Sequence, residues 1–186
     1  MAFQAAIDVL AARYADNKPT SVAGFDARGF ILGAPLALAL QVPFLLIRKK
    51  GKMPGALVSS GTYQTEYSSD ETVMRLGSVK PGDSVLLVDD LIATGGTAAA
   101  GFDLVHAMGG RVHAFAAMIQ LPGLGGVKRL HEHRDGHFKD VPVFTLVDDA
   151  TIGDDLGRDP PAGVPQVVPA DTAMQVAKEN CIGARF

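Results

Sequence analysis

The chain has 186 residues, of which 47% are hydrophobic and 20% are charged, and its formal net charge at pH 7 is −3. These values predict a folded domain with a buried core and exclude a disordered chain. The small negative charge argues against general binding of nucleic acid, which relies on clustered positive charge. The single cysteine, Cys181, excludes an intramolecular disulfide framework and fits a reducing compartment.

Neither the N-terminus nor the longest uncharged stretch indicates a membrane protein. The first ten residues contain Asp8 and no basic residue, unlike a secretory signal. Residues 30–47 are uncharged, but they include Pro35 and Pro43, and a spanning helix needs about 20 apolar residues. We therefore expect a buried helix and a buried strand here, with no membrane partner.

The predicted elements alternate between helix and strand along the chain. The first helix rests on apolar residues at helical spacing, and the strands are short runs of buried character. Such alternation predicts right-handed crossovers and a parallel sheet, and hence an α/β fold. The predicted helices cover residues 2–15, 30–41, the stretch from the 91–97 loop to 108, and part of 123–137; the predicted strands cover 21–25, 43–47, 84–88, 111–119 and 141–147.

Two segments interrupt the alternation. Residues 56–79 lack a helical period and follow a basic loop rich in Gly and Pro, so we interpret them as a mobile hairpin or flap. Residues 153–170 are rich in Gly, Pro and Asp, which predicts irregular structure. We therefore predict a core domain over residues 1–150 and an irregular, partly helical C-terminal extension over 151–186.

The strongest chemical signal lies where one predicted strand ends. Four apolar residues lead into Asp89 and Asp90, and a Thr-Gly-Gly-Thr turn over 94–97 then opens a helix. A helix N-terminus with two glycines can wrap a phosphate, and carboxylates accept hydrogen bonds from vicinal ribose hydroxyls. No lysine follows the glycines, so the segment is not a Walker A loop. It predicts a clamp for ribose 5-phosphate; the alternative is a tightly turned helix capped by Asp, with no ligand.

This segment resembles the phosphoribosyl pyrophosphate (PRPP) signature of type I phosphoribosyltransferases. Further motifs, in the same order along the chain, resemble the adenine phosphoribosyltransferase family in particular. The resemblance covers roughly residues 3–148. The motifs are Gly24-Phe25-Asp26-Ala27-Arg28-Gly29-Phe30, Gly33-Ala34-Pro35-Leu36, Val42-Pro43-Phe44, Arg48-Lys49-Lys50-Gly51-Lys52-Met53-Pro54-Gly55 and Tyr63-Gln64-Thr65-Glu66-Tyr67.

The resemblance implies a type I phosphoribosyltransferase fold, with a twisted, mainly parallel five-stranded sheet flanked by helices, a flexible flap and a hood over the active site. Family members usually carry a further N-terminal segment that supplies much of the hood, so we expect a reduced hood here. The implied reaction joins adenine to PRPP and gives AMP and pyrophosphate in purine salvage. It also implies a homodimer and Mg²⁺ as cofactor, held mainly by PRPP and water rather than directly by the protein.

The same resemblance assigns roles to individual residues. Arg28, Glu66 and Tyr67 are the implied catalytic residues, the last two on the flap. The remaining implied positions are Asp89 and Asp90 at the ribose hydroxyls; Ala93, Thr94, Gly95, Gly96 and Thr97 at the 5′-phosphate; and Ala27, Arg28, Gly29, Arg48, Lys49 and Lys52 at pyrophosphate, in part across the dimer interface.

These roles agree with the chemistry of the bond that breaks. Cleavage of the C1′–O bond builds positive charge on the sugar, as in glycoside cleavage, and negative charge on pyrophosphate. A cation exposed in this way reacts with water, which a flap excludes, and Glu66 is placed to take or hold the purine proton. The pyrophosphate loop has to aim backbone amides at its ligand, so we expect a strained or cis peptide near residues 26–28.

Several alternatives remain open from the sequence. The chain could be a non-catalytic PRPP-binding regulator, or a transferase for another base. Arg28 could simply pair with Asp26, and Asp148-Asp149 could lie near the base pocket or at an ordinary strand end. Residues 131–137 include three histidines, for which a solvated face is expected over a zinc site. The location is expected to be cytoplasmic, with a peroxisome-type address in the tail Ala184-Arg185-Phe186 as the alternative.

Overall fold

A computed structural model describes residues 2–64, 69–121 and 123–148. Within these ranges, helices and strands alternate as the sequence predicts. The elements are α1 (Ala2–Tyr14), β1 (Ser21–Phe25), α2 (Arg28–Leu40), β2 (Phe44–Lys49), β3 (Leu57–Gln64), β4 (Ser69–Arg75), β5 (Ser84–Ile92), α3 (Gly96–Ala107), β6 (Arg111–Gln120), α4 (Gly126–Gly136) and β7 (Val143–Val147).

The strands form one sheet in the order β3-β4-β2-β1-β5-β6-β7. The five predicted parallel strands are present, since β2, β1, β5, β6 and β7 pair in parallel. The segment predicted as a flap contributes the antiparallel strands β3 and β4 at the edge of β2. The sheet therefore has seven strands rather than five, and it remains mainly parallel.

Several element boundaries differ from the sequence prediction by a few residues, and two of them bear on the site. Strand β5 continues past residue 88 through both aspartates to Ile92, because β6 stays paired with it as far as Gln120. Helix α2 begins at Arg28, inside the predicted loop, because Gly29 lets the first turn lie directly against β5. A Cβ atom at Gly29 would come within 2.5 Å of the Val88 carbonyl oxygen.

The sheet separates two apolar cores, as the two-residue period of β5 requires. Leu86 and Val88 face the core formed by α1 and α2, whereas Val85 and Leu87 face the core that contains α3 and Leu130 of α4. All four side chains are fully buried. The helices therefore cover both faces, which is the doubly wound arrangement expected for a parallel sheet.

The order of the strands fixes the position of a crevice. From β1 the chain crosses to β2 on one side, and from β5 it crosses to β6 on the other side. In open α/β sheets, ligands bind beyond the carboxyl ends of the strands at such a switch point. The carboxyl ends of β1 and β5 are adjacent and carry the Asp26–Gly29 and Asp89–Thr97 segments.

Some predicted features lie outside the described residues. These are the flap residues Glu66 and Tyr67, Asp149, the 151–186 extension with Cys181, and the tail at 184–186, so the predicted domain boundary stays a prediction. Among the helices that are described, none is both long and apolar enough to cross a membrane.

The core on the α3 face gives a test of the fold. Phe102 is fully buried and packs edge-to-face against Phe138, with ring centroids 5.1 Å apart. Phe102→Ala is expected to lower the free energy of unfolding by about 3–5 kcal/mol, because it leaves a cavity. Urea denaturation measures the loss. Phe3→Ala, at a position 48% exposed, is the control, and an equal loss in both variants would contradict this packing.

Candidate functional site

A cavity of about 600 Å³ lies at the carboxyl ends of β1 and β5. It brings together most of the predicted site residues from three separate parts of the chain. Its lining includes Ala27, Arg28, Lys49, Asp89, Asp90, Ala93, Thr94, Gly95, Gly96 and Thr97.

The turn that opens α3 forms one end of the cavity. Gly95 has a φ of +79°, and a Cβ atom there would come within 2.6 Å of the Gly126 carbonyl oxygen, so both conformation and space require glycine. The first turn of α3 carries no side-chain cap and no acidic residue. Its unpaired amides and the positive end of the helix dipole therefore favour an anion at this position.

A second helix N-terminus opens at the same cavity. Helix α2 starts after Ala27, again with no side-chain cap and no acidic residue in the first turn. The peptide bond between Asp26 and Ala27 is cis, which confirms the expectation for this loop. Two helix N-termini from neighbouring strands thus meet at one cavity, and both favour negative charge.

The two aspartates of β5 lie in different environments. Asp89 is half-buried, and its carboxylate accepts a hydrogen bond from the backbone N–H of Asp90 at 2.9 Å. Burial, together with the negative charge of Asp90, raises the pKa of Asp89 to about 8. Asp90 is paired with the Arg28 guanidinium, and this contact raises the pKa of Arg28. Burial therefore disfavours the ionised form of Asp89, whereas Arg28 offsets the charge of Asp90.

The basic loop after β2 is tied to the β1–α2 loop. Arg48 Nε donates to an Asp26 carboxylate oxygen at 3.2 Å, and its Nη1 donates to the Lys52 carbonyl oxygen at 2.8 Å. Arg28 therefore pairs with Asp90, and Arg48 takes the Asp26 carboxylate. Lys49 lines the cavity, whereas Arg48 and Lys52 are not among its lining residues. Their pyrophosphate contacts stay predictions.

Part of the cavity lining consists of residues that the sequence did not single out. Thr72 of β4 is 4% exposed and stands opposite Lys49 in the β2–β4 register. The residue pattern of β4 does not reveal that Thr72 faces the cavity, because the antiparallel pairing with β2 determines its position. Apolar side chains also line the cavity: the sequence places Phe25, Ile47 and Phe115 in buried strands and Leu91 and Ile92 in a loop, and it assigns Leu121 to no element.

The histidine cluster on α4 makes structural contacts. His133 Nε2 and Arg134 Nε both contact the Asp103 carboxylate, at 3.0 and 2.5 Å. The His131 ring nitrogen Nε2 lies 3.1 Å from the Val141 carbonyl oxygen. No group of three candidate metal ligands occurs in the part of the chain that the structure describes, so the zinc alternative gains no support there.

Comparison with known proteins identifies the class that this fold and site define. The family model of the phosphoribosyl transferase domain matches residues 1–160. The chain belongs to the phosphoribosyltransferase family, and its relatives group it with the adenine phosphoribosyltransferases, which are pentosyl-transferring enzymes. This confirms the resemblance drawn from the sequence.

Relatives in sequence and in structure carry the same name. The chain is 48% identical over 147 residues to the adenine phosphoribosyltransferase of Histophilus somni, covering 79% of this chain and 78% of that protein. It is 49% identical over 148 residues to that of Paracidovorax citrulli, covering 78% and 77%. The Trypanosoma brucei enzyme in complex with AMP, pyrophosphate and ribose-5-phosphate has a TM-score of 0.82 at 35% identity, covering 94% of this chain and 76% of that chain.

The raised pKa of Asp89 predicts a pH dependence of stability. The pKa rises from 3.8 to about 8 on folding, so the folded state keeps a proton that the unfolded state has lost between these values. Stability of the ligand-free protein therefore falls as pH rises through this window. The free energy of unfolding of Asp89→Asn should not fall with pH in this way. Near pH 8 the variant is expected to be more stable than wild type by about 2 kcal/mol or more.

Urea denaturation of both proteins across the window measures this difference, with Asp8→Asn as the exposed control. Parallel stability curves for wild type and Asp89→Asn would show that Asp89 ionises normally in the fold.

Proposed function

We propose that this chain transfers the 5-phosphoribosyl group of PRPP to adenine at the cavity between β1 and β5, and releases AMP and pyrophosphate. The observation that carries the proposal is the meeting of two uncapped helix N-termini with the Asp89–Asp90 pair. One ligand satisfies all three features only if it carries phosphate groups at both ends and hydroxyls between them. PRPP has this arrangement.

Each of these protein groups then binds the part of PRPP that complements its charge or its hydrogen-bonding capacity. The 93–97 turn binds the 5′-phosphate through backbone amides and the Thr94 and Thr97 hydroxyls. Asp89 and Asp90 accept hydrogen bonds from the ribose hydroxyls. At the other end, the amides after the cis peptide, with Arg28 and Lys49, hold pyrophosphate and stabilise its charge as it leaves.

Cleavage of the C1′–O bond of PRPP determines the roles proposed for the flap residues Glu66 and Tyr67. As pyrophosphate departs, the sugar becomes oxocarbenium-like and adenine attacks its C1′ atom. We propose that Glu66 and Tyr67 act from the β3–β4 connection, with Glu66 holding the proton of the attacking purine. Support comes from the position of the hairpin, whose β4 strand contributes Thr72 to the cavity wall.

The donor set fits a magnesium ion that the substrate brings. Mg²⁺ keeps several waters and binds through one or two carboxylates plus substrate phosphates. The cavity lining carries Asp89 and Asp90, and because both are proposed to accept hydrogen bonds from the ribose hydroxyls, PRPP and water would hold most of the ion's coordination shell. When bound, the ion neutralises phosphate oxygens; Arg28 and Lys49 share that role from the protein side.

Adenine is the base that the relatives favour, because those compared above all carry that specificity in their name. The half-buried apolar side chains of Leu91 and Leu121 in the cavity lining supply a surface on which a flat base can pack. The same relatives favour a catalytic role over that of a PRPP-binding regulator. We place the reaction in the cytoplasm, since the bacterial relatives and the single cysteine both favour it over an organelle.

Formation of AMP tests the reaction directly. Purified protein with PRPP, Mg²⁺ and adenine is expected to form AMP, and hypoxanthine, guanine and orotate are expected to give no product. Asp90→Asn and Glu66→Ala are each expected to lower kcat by about 100-fold or more, since each removes an interaction made in the transition state. Asp8→Asn, on the exposed face of α1, is the control. PRPP binding without product from any base would contradict the transferase and support the regulator.

We also propose a homodimer that forms through an apolar face of α2 and β2. Ile31 and Leu38 are two helical turns apart on α2 and are 62% and 80% exposed, and Leu46 on β2 is 41% exposed. Such a cluster is typical of a protein–protein contact. It lies on the elements that flank the β1–α2 loop and the basic loop, which is consistent with a shared pyrophosphate site.

A charge in this apolar face is expected to separate the subunits. Leu38→Glu is expected to sediment as a monomer at concentrations where wild type is a dimer, because the interface would bury an unpaired carboxylate. Leu124→Glu introduces the same charge at a residue 43% exposed and outside this face, and it is expected to stay dimeric. A dimeric Leu38→Glu protein in analytical ultracentrifugation would place the interface elsewhere.

A further inference from the structure

The edge of the candidate active site depends on a short seam between β2 and β4. The two strands share only two register pairs, Arg48 with Val73 and Lys49 with Thr72. Lys49 and Thr72 both line the cavity, so this seam forms one of its walls. Val73 and Met74 anchor one end of the seam, because both are buried in the core.

Glu71 holds the other end of the seam. Its backbone carbonyl oxygen accepts a hydrogen bond from the Lys50 backbone N–H at 2.9 Å. Its carboxylate accepts two more, from Lys50 Nζ at 2.9 Å and from Ser59 Oγ on β3 at 2.5 Å. One residue thus joins β3, β4 and the basic loop after β2.

The local geometry shows why the seam depends on the side-chain hydrogen bonds of Glu71. The β3–β4 register shifts between Ser59 and Thr62, so a bulge interrupts the ladder opposite Thr72, the neighbour of Glu71. Side chains replace the lost backbone pairing: Ser59 Oγ also accepts from the Gly61 N–H at 3.0 Å, and Ser60 Oγ accepts from the Thr72 N–H at 3.2 Å. The hydrogen bonds from Ser59 and Lys50 lower the pKa of Glu71, so its carboxylate is ionised at neutral pH.

We infer that Glu71 is a positioning residue for the pyrophosphate end of the site, which acts by fixing Lys49 and Thr72 in the cavity wall. The inference rests on the proposed function for the identity of the ligand. Glu71 itself is not among the lining residues, and its side chain is 22% exposed. It therefore acts through its two neighbours rather than on the substrate.

Steady-state kinetics and pyrophosphate binding test this role together. Glu71→Ala is expected to raise KM for PRPP and the calorimetric Kd of magnesium pyrophosphate by about tenfold, the effect of losing one hydrogen-bonded charge. KM for adenine is expected to stay unchanged, because that base binds elsewhere in the cavity. Glu71→Gln keeps an acceptor oxygen for Ser59 but loses the ion pair, and an intermediate effect is expected.

Two further variants show whether Glu71 acts through Lys50. Lys50→Met is expected to raise KM for PRPP, and the Lys50→Met, Glu71→Ala double variant is expected to be no worse than Glu71→Ala alone. Glu132→Ala removes a glutamate from another ion pair, with Lys128 on α4, and is the control expected to match wild type.

Three results would overturn the inference. The first is an unchanged affinity for PRPP and pyrophosphate in both Glu71→Ala and Glu71→Gln. The second is an equal rise in KM for PRPP and for adenine, as partial unfolding would cause. The third is a strictly additive effect of the Lys50 and Glu71 changes on KM for PRPP. The calorimetric measurement of pyrophosphate binding allows this inference to be tested separately from the proposed function. If wild type binds pyrophosphate but forms no AMP, the proposed function fails, while the calorimetric comparison still decides the role of Glu71.

Discussion

The contact between β1 and β5 is the constraint on which the site depends. Because these parallel neighbours are the strands where the chain changes direction across the sheet, their carboxyl ends open into one crevice. Each strand leads into a helix, and Gly29 allows the first turn of α2 to lie against the Val88 carbonyl. Two sets of unpaired amides therefore face one volume, and a side chain at position 29 would force them apart.

Electrostatics within that volume are balanced only in part. The amides and Arg28 and Lys49 favour anions, whereas Asp89 and Asp90 repel them. Two features reduce this conflict: Asp90 is paired with Arg28, and the raised pKa of Asp89 favours its protonated form. Carboxylates in an anion site are otherwise costly, so their presence indicates a ligand that also offers hydrogen-bond donors. Sugar hydroxyls between two phosphate groups meet that requirement, which is why the site favours PRPP over a simple phosphate.

The sequence predicted the parts of the fold whose signals are local. Buried runs located the five parallel strands, and the Thr-Gly-Gly-Thr turn located the start of α3 to within one residue. The cis peptide between Asp26 and Ala27 was expected because this loop has to direct backbone amides toward pyrophosphate. Contacts set by pairing across the sheet were not predictable in this way. The pairing of Arg48 with Asp26 depends on the β1–β2 register, and the position of Thr72 in the cavity wall depends on the β2–β4 register. Neither register leaves a periodic trace in its strands.

The proposed roles require Arg28 to change partners during binding. Its guanidinium is paired with the carboxylate of Asp90, which is the group proposed to bind the ribose hydroxyls. When hydroxyls take that carboxylate, the guanidinium is released beside the β1–α2 loop, where the pyrophosphate is proposed to lie. Binding at the ribose end would thus make the Arg28 guanidinium available to the leaving group. Arg48 cannot substitute in this exchange, because Asp26 and the Lys52 carbonyl already hold its guanidinium. The exchange therefore gives Arg28 a role in both the free and the bound site.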